Sequence, residues 1–233
     1  KAAGFGDMIA KYIGIFDWKV ANLLIDEYYC PEVAELTMKG VRKIVALADK
    51  VTLEDEETAG AIMEALVMSG LGMKLALSSR PASGAEPVLS HYWECYKLAR
   101  GIWPEFHGKK VGVATLEMVK IYRNVADRYK TVHAHADTTD WDKVYAAFSE
   151  KQLPDVKKLN NPTITDKVDP KLLEESWEQI RQMIKDSDGD VFEEMRKDFG
   201  ERNIGKLVDK KEITIFEQIN TAMVATPMPR PLM

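Results

Sequence analysis

Apolar side chains recur along this chain with the helical period and almost nowhere with the alternating period of a strand. Ala59, Ile62, Met63, Leu66, Val67 and Gly70 fall at i, i+3, i+4, i+7, i+8 and i+11, which predicts a long helix with this face inward and Thr52 as its N-cap. Val88, Leu89, Tyr92, Trp93 and Tyr96 outline a second helix, and Val111, Thr115, Leu116, Val119, Tyr122 and Ala126 a third. Ile9, Ile13, Phe16 and Val20 predict an opening helix from Gly6 or Asp7 to about Asn22, broken at Tyr28 to Pro31. Asp169 before Pro170 reads as an N-cap and N1 pair, opening a helix through Leu173, Trp177, Ile180 and Ile184 that ends near Asp186 to Gly189. The segments Ser78 to Gly84, Asn160 to Thr163 and Thr226 to Pro231 are too rich in Gly, Pro, Ser and Asn for helix and read as loops or irregular chain.

The expectation is an all-α protein, a helical bundle in a single helical domain over residues 1–233, with its core in 1–130 and a looser helical part in 131–233. The pattern excludes a dinucleotide-binding fold within this chain. Such a fold needs alternating strands and helices with a glycine-rich turn after the first strand, and neither GxGxxG nor GxxxxGK[ST] occurs. The most apolar stretch, Ala61 to Leu77, is interrupted by Glu64 and Lys74 and reads as a core helix, so no membrane span is expected.

Charge narrows the partners. With 32 Lys+Arg interspersed among 37 Asp+Glu and a net charge of -5, the chain has no basic face for nucleic acid and no polybasic membrane anchor. Cys30 and Cys95 have neither zinc-knuckle nor disulfide spacing, and two free thiols in a reducing, cytoplasmic compartment are expected. No signal-peptide pattern opens the chain.

Chemistry-bearing residues concentrate between Ser78 and Gly108: Arg80, Ser83, Glu86, His91, Glu94 and His107, including two of the four histidines. A histidine such as His91 in an apolar helix is most often structural. His133 and His135, at i and i+2, diverge on a helix and read as solvated surface.

The run Ser79-Arg80-Pro81-Ala82-Ser83-Gly84-Ala85-Glu86, then Ser90-His91-Tyr92-Trp93-Glu94 and His107-Gly108-Lys109-Lys110-Val111-Gly112, resembles the sn-glycerol-1-phosphate dehydrogenase family. That family stands with the glycerol dehydrogenases, the iron-containing alcohol dehydrogenases and the dehydroquinate synthases. The opening Ala3-Gly4-Phe5-Gly6-Asp7-Met8-Ile9-Ala10-Lys11, with Asp17-Trp18-Lys19, is similar to the first segment of the family's C-terminal helical domain, and the resemblance extends to about Tyr122.

The resemblance implies a metal-dependent, NAD(P)-linked alcohol dehydrogenase of two domains, with NAD or NADP held by an amino-terminal domain absent from this chain. It implies zinc held by one Asp and two His, of which Asp7 and His107 are present here, each at a helix end. The third ligand position is occupied by Pro87, which has no donor, so zinc binding is expected to be weakened or lost. His91, one turn beyond Pro87, matches a histidine that handles protons or substrate hydroxyls. Arg80 and Lys11 are the candidates for a substrate phosphate, Arg80 through its bidentate fork. The other reading of Arg80 is a loop-stabilising ion pair.

The implied substrate is a small phosphorylated polyol, interconverting glycerol-1-phosphate and dihydroxyacetone phosphate. The chain alone is expected to be inactive, consistent with a first residue that is not Met and with roughly 150 further residues upstream, the size of one domain. Two alternatives stay open: a non-catalytic helical binding or assembly module derived from the family, and a related polyol dehydrogenase. A helical half without its partner domain would expose an apolar wall, so a homo-oligomer is also expected.

Overall fold

The computed structural model describes residues 1–51, 55–134, 139–159 and 168–187. Among these residues every regular element is a helix: α1 (Ala2–Ile9), α2 (Lys11–Ile25), α3 (Pro31–Val45), α4 (Glu56–Ala76), α5 (Ala85–Leu98), α6 (His107–Arg128), α7 (Trp141–Ala146), α8 (Leu153–Leu159) and α9 (Pro170–Asp186). Single 3-10 turns stand at Ala48–Lys50 and Arg80–Ala82. The expected all-α class is therefore what the structure has. The segments read as loops at Asn160 to Thr163 and Thr226 to Pro231, together with Thr52, His135 and Gly189, lie outside the described residues.

The opening helix is two helices, not one. The chain turns at Ala10, where the amide donates to Gly6 O at 3.3 Å. This lets α1 lie on α6 while α2 runs along the Arg80–Ala82 turn and α9. Asp26 closes α2 in the left-handed region at φ 52°, and Pro31 opens α3 at its first position, where a missing N–H costs no helical bond.

The cap of α4 is Asp55, whose carboxylate accepts from the Thr58 amide at 3.1 Å. The inward face of α4 keeps Ile62 of the expected face but turns away from Met63 and Val67 toward a row of small residues. Thr58, Ala61, Ala65, Ser69, Gly72 and Ala76 are buried, whereas Met63 and Val67 are 63% and 54% exposed. The reason is the closeness of α3: a Cβ on Gly40 would stand 3.4 Å from the Cβ of Ala65, and one on Gly72 would stand 3.1 Å from Thr37 Oγ1. At that spacing only small side chains fit between the helices.

Phe5, Met8, Trp18, Val41, Ile44 and Ile62 anchor the main core, each such burial being worth about 2 kcal/mol against exposure. Trp18 packs its edge on Tyr29 at 4.7 Å and donates Nε1–H to Tyr28 O at 2.5 Å, fixing the chain after α2. A second cluster joins Val20 and Leu24 of α2 and Ala126 of α6 to Trp177, Ile180 and Ile184 of α9. Trp177 Nε1–H donates to Tyr129 O at 2.9 Å and Arg181 Nε–H to Ala126 O at 2.8 Å, so α9 also satisfies the end of α6.

Candidate functional site

Two helix backbones nearly touch where α1 crosses α6. A Cβ on Gly108 would meet Ala3 O at 1.8 Å, one on Gly6 would meet Gly108 O at 2.3 Å, and one on Gly112 would meet Gly6 Cα at 2.9 Å. Only glycine permits this approach, and it sets the last turn of α1 beside the first turn of α6. Asp7 from the one and His107 from the other thereby face each other, with His107 Nε2 3.8 Å from Asp7 Oδ1.

Around this pair stand four further side chains. Lys11 Nζ lies 3.3 Å from Asp7 Oδ2, its side chain 7% exposed. His91 on α5 places its ring 5.7 Å from that of His107, centroid to centroid, and its Nδ1 lies 4.0 Å from Glu94 Oε2. Lys110, one turn into α6, donates to the same Glu94 oxygen at 2.7 Å. Burial, and after it the charges of His91, Lys11 and Lys110, hold the His107 imidazole below its usual pKa, against the opposing pull of Asp7. The Lys110 hydrogen bond in turn keeps Glu94 ionised, below the usual carboxylate range.

The structure thus brings together Asp7, Lys11, His91 and His107. Glu94, already among the chemistry-bearing residues of the sequence, joins them together with Lys110, which did not stand out although it lies three residues from His107 and so on the same helix face. His91 is not packed in an apolar face: its side chain is 62% exposed, whereas Pro87, one turn earlier, is buried. Pro87 sits in the first turn of α5, where a proline is tolerated.

Arg80 stands apart from this group. Its Nε and Nη2 donate to the two carboxylate oxygens of Glu27 at 2.8 and 2.6 Å, so its fork is occupied and ties the loop to the end of α2. His133 is solvated at 89% exposure, and Cys30 and Cys95 are free thiols. An apolar cleft between α2, α6 and α9, lined by Phe16, Val119 and Ile184 among others, contains none of these groups.

The donor set does not complete a cage for zinc. Among the described residues no group of three or more His, Cys, Asp or Glu side chains is arranged to hold a metal ion. Asp7 and His107 could supply two donors, but position 87 offers none. The Lys11 ammonium already occupies one carboxylate oxygen of Asp7. What the arrangement can do is attract an anion to Lys11 and exchange protons at two imidazoles.

No protein-family model matches the chain. Among curated proteins it is similar to glycerol-1-phosphate dehydrogenase [NAD(P)+] of Halalkalibacterium halodurans, 43% identical over 125 residues, which is 54% of this chain and 31% of that protein. The enzyme of the same name from Bacillus licheniformis is 35% identical over 158 residues, 68% of this chain and 38% of its own, and that of Methanosarcina barkeri is 39% identical over 121 residues, 52% and 33%. The chain spans about a third of the length of these relatives. It is therefore a relative of the glycerol-1-phosphate dehydrogenases that corresponds to a partial stretch of their length.

Proposed function

We propose that this chain is the substrate-binding helical half of a glycerol-1-phosphate-dehydrogenase-like, NAD(P)-dependent oxidoreductase. The observation that carries the reading is the convergence of Asp7, Lys11, His91 and His107 in a chain 35–43% identical to proteins of that name. In this role Lys11 holds the phosphate of a small phosphorylated polyol, as a buried cation at the base of the group. His91, exposed and beside His107, would take the proton of the substrate hydroxyl; a bound nicotinamide would supply the acceptor for hydride from the carbon that bears that hydroxyl. The nicotinamide would be held by a separate domain, since these helices offer no dinucleotide fold, and the chain alone would be inactive. Arg80 would reach a phosphate only by releasing both oxygens of Glu27, whereas Lys11 makes one longer contact, 3.3 Å to Asp7, so Lys11 is the stronger candidate.

Titration calorimetry of the 233-residue chain with glycerol-1-phosphate tests this. Binding is expected, with Lys11→Ala weakening it about tenfold, as for one lost charged contact. No binding, or binding that Lys11→Ala leaves unchanged, would overturn the assignment. Zinc is expected to bind weakly or not at all, and Pro87→His to strengthen it by supplying a third donor beside Asp7 and His107. If zinc titrations of the two proteins coincide, position 87 is not part of the metal site.

A non-catalytic binding or assembly module is the second reading, favoured by Pro87 and by the engagement of Arg80 with Glu27. Cytoplasmic residence fits either, as does the absence of a basic nucleic-acid face. α4 has the length and hydropathy of a membrane span, but its small-residue face packs on α1, α3 and the Arg80–Ala82 turn, as in a core helix. Its outward row of Met63, Val67, Leu71 and Leu75, each at least half exposed, supports self-association into a homo-oligomer.

A further inference from the structure

Asp17 on α2 and Glu86 in the first turn of α5 are both buried, at 4% and 0% exposure, and approach the same point from two sides. A Cβ on Gly84 would stand 2.5 Å from Asp17 Oδ2 and 3.0 Å from Glu86 Oε2. Two carboxyl groups therefore flank a residue that has to be glycine.

Their partners are unequal. Asp17 accepts the Ala85 amide on Oδ2 and the Tyr122 hydroxyl on Oδ1, each at 2.7 Å. Glu86 accepts only backbone contacts, from its own amide and from the Gly84 amide on Oε1 at 3.3 Å, and Oε2 is buried with no hydrogen-bond partner. The cations facing the pair are engaged elsewhere: Lys11 of α2 pairs with Asp7, and Arg80 of the 3-10 turn with Glu27. From α6 comes only Tyr122, a neutral donor. A carboxylate with a bare oxygen beside a second carboxylate, away from water, is strongly unfavourable. Protonation removes its charge and turns the bare acceptor into a donor.

We propose that Glu86 is kept as a neutral acid beside Asp17, and that its proton, by keeping a second buried anion away from Gly84, clamps the Ser78–Glu86 loop onto α2. The loop carries Arg80 and leads into the helix that presents His91 and Glu94. Loss of the proton would put two buried anions on either side of Gly84 and loosen that loop. The inference needs no substrate, so it stands or falls separately from the functional reading.

Burial, reinforced by the charge of Asp17, raises Glu86 to about 8. Burial raises Asp17 to about 6, against the Tyr122 and Ala85 hydrogen bonds and the charge of Arg80. Both groups thus hold protons more tightly folded than unfolded. Their contribution to stability is complete below the ordinary carboxylate range, declines as pH rises through about 6 and then about 8, and is flat above that.

Thermal melts of the whole chain at pH 6 and pH 8 provide the test, with Glu86→Gln as a neutral replacement of the same shape. The melting temperature of the unaltered chain is expected to fall by on the order of 5 °C between these pH values, and Glu86→Gln to remove most of that fall. A parallel pH profile in the variant would overturn the proposal. Should the variant not fold, carbon-13 titration of the Glu86 carboxyl in the unaltered chain decides, since a midpoint above pH 7 supports the neutral acid and a lower midpoint refutes it. Hydrogen exchange tests the clamp: amides of 79–85 should open more above pH 8, after correction for intrinsic rates and relative to those of α3. Unchanged protection there would rule the clamp out.

Discussion

A single methyl group at position 108 would stand 1.8 Å from the carbonyl oxygen of Ala3, closer than any relaxation of a side chain could relieve. Gly108→Ala must therefore push α1 off α6, and the loss of stability is expected at or beyond the upper end of the usual overpacking range, about 3 kcal/mol, in a chemical denaturation series. The same substitution would part Asp7 from His107, because the glycine crossing is what brings them together. Asp7 and His107 were legible as chemistry from the motifs that contain them. Gly6 as the counterpart of Gly108 was not, since which backbone a glycine touches is decided by the crossing of two helices far apart in sequence. Glu27 was likewise invisible as the partner of Arg80, 53 residues away.

At the scale of helices, α9 shows what the period can and cannot specify. The spacing of Leu173, Trp177, Ile180 and Ile184 predicts the helix, and Asp169 with Pro170 predicts its start, which is where α9 begins. That it lies on α2 and α6 follows from Val20, Leu24 and Ala126, which complete its apolar stripe. Trp177→Ala removes the centre of this contact and the bond to Tyr129 O. It is expected to cost about 3 kcal/mol in a denaturant titration, and hydrogen exchange should show α9 opening while α1 and α3 stay protected. The period places α4 only in part. Ile62 of the expected face is in the core and Leu66 packs against it, but the close approach of α3 is made over Ala, Ser, Thr and Gly and leaves Met63 and Val67 outside.

For the whole molecule, that outward row has a consequence for assembly. Leu71 and Leu75 are 50% and 65% exposed, at a spacing of one turn. Replacing both by Lys should leave the melting temperature nearly unchanged and shift sedimentation toward the monomer. A distribution unaltered by the two lysines would place any self-association elsewhere. The sequence by itself determined the all-helical class, because helical periodicity and the absence of strand alternation are local properties. It also determined the chemical types available near the histidines and that residue 87 is a proline, whose side chain offers no donor. Only the tertiary structure decided that Arg80 is bound to Glu27, that Lys11 caps Asp7, and that Asp17 and Glu86 share one buried space. Each of these depends on distances across helix contacts, which are set by how closely glycine and other small residues let the backbones pack, and one-dimensional spacing carries no such information.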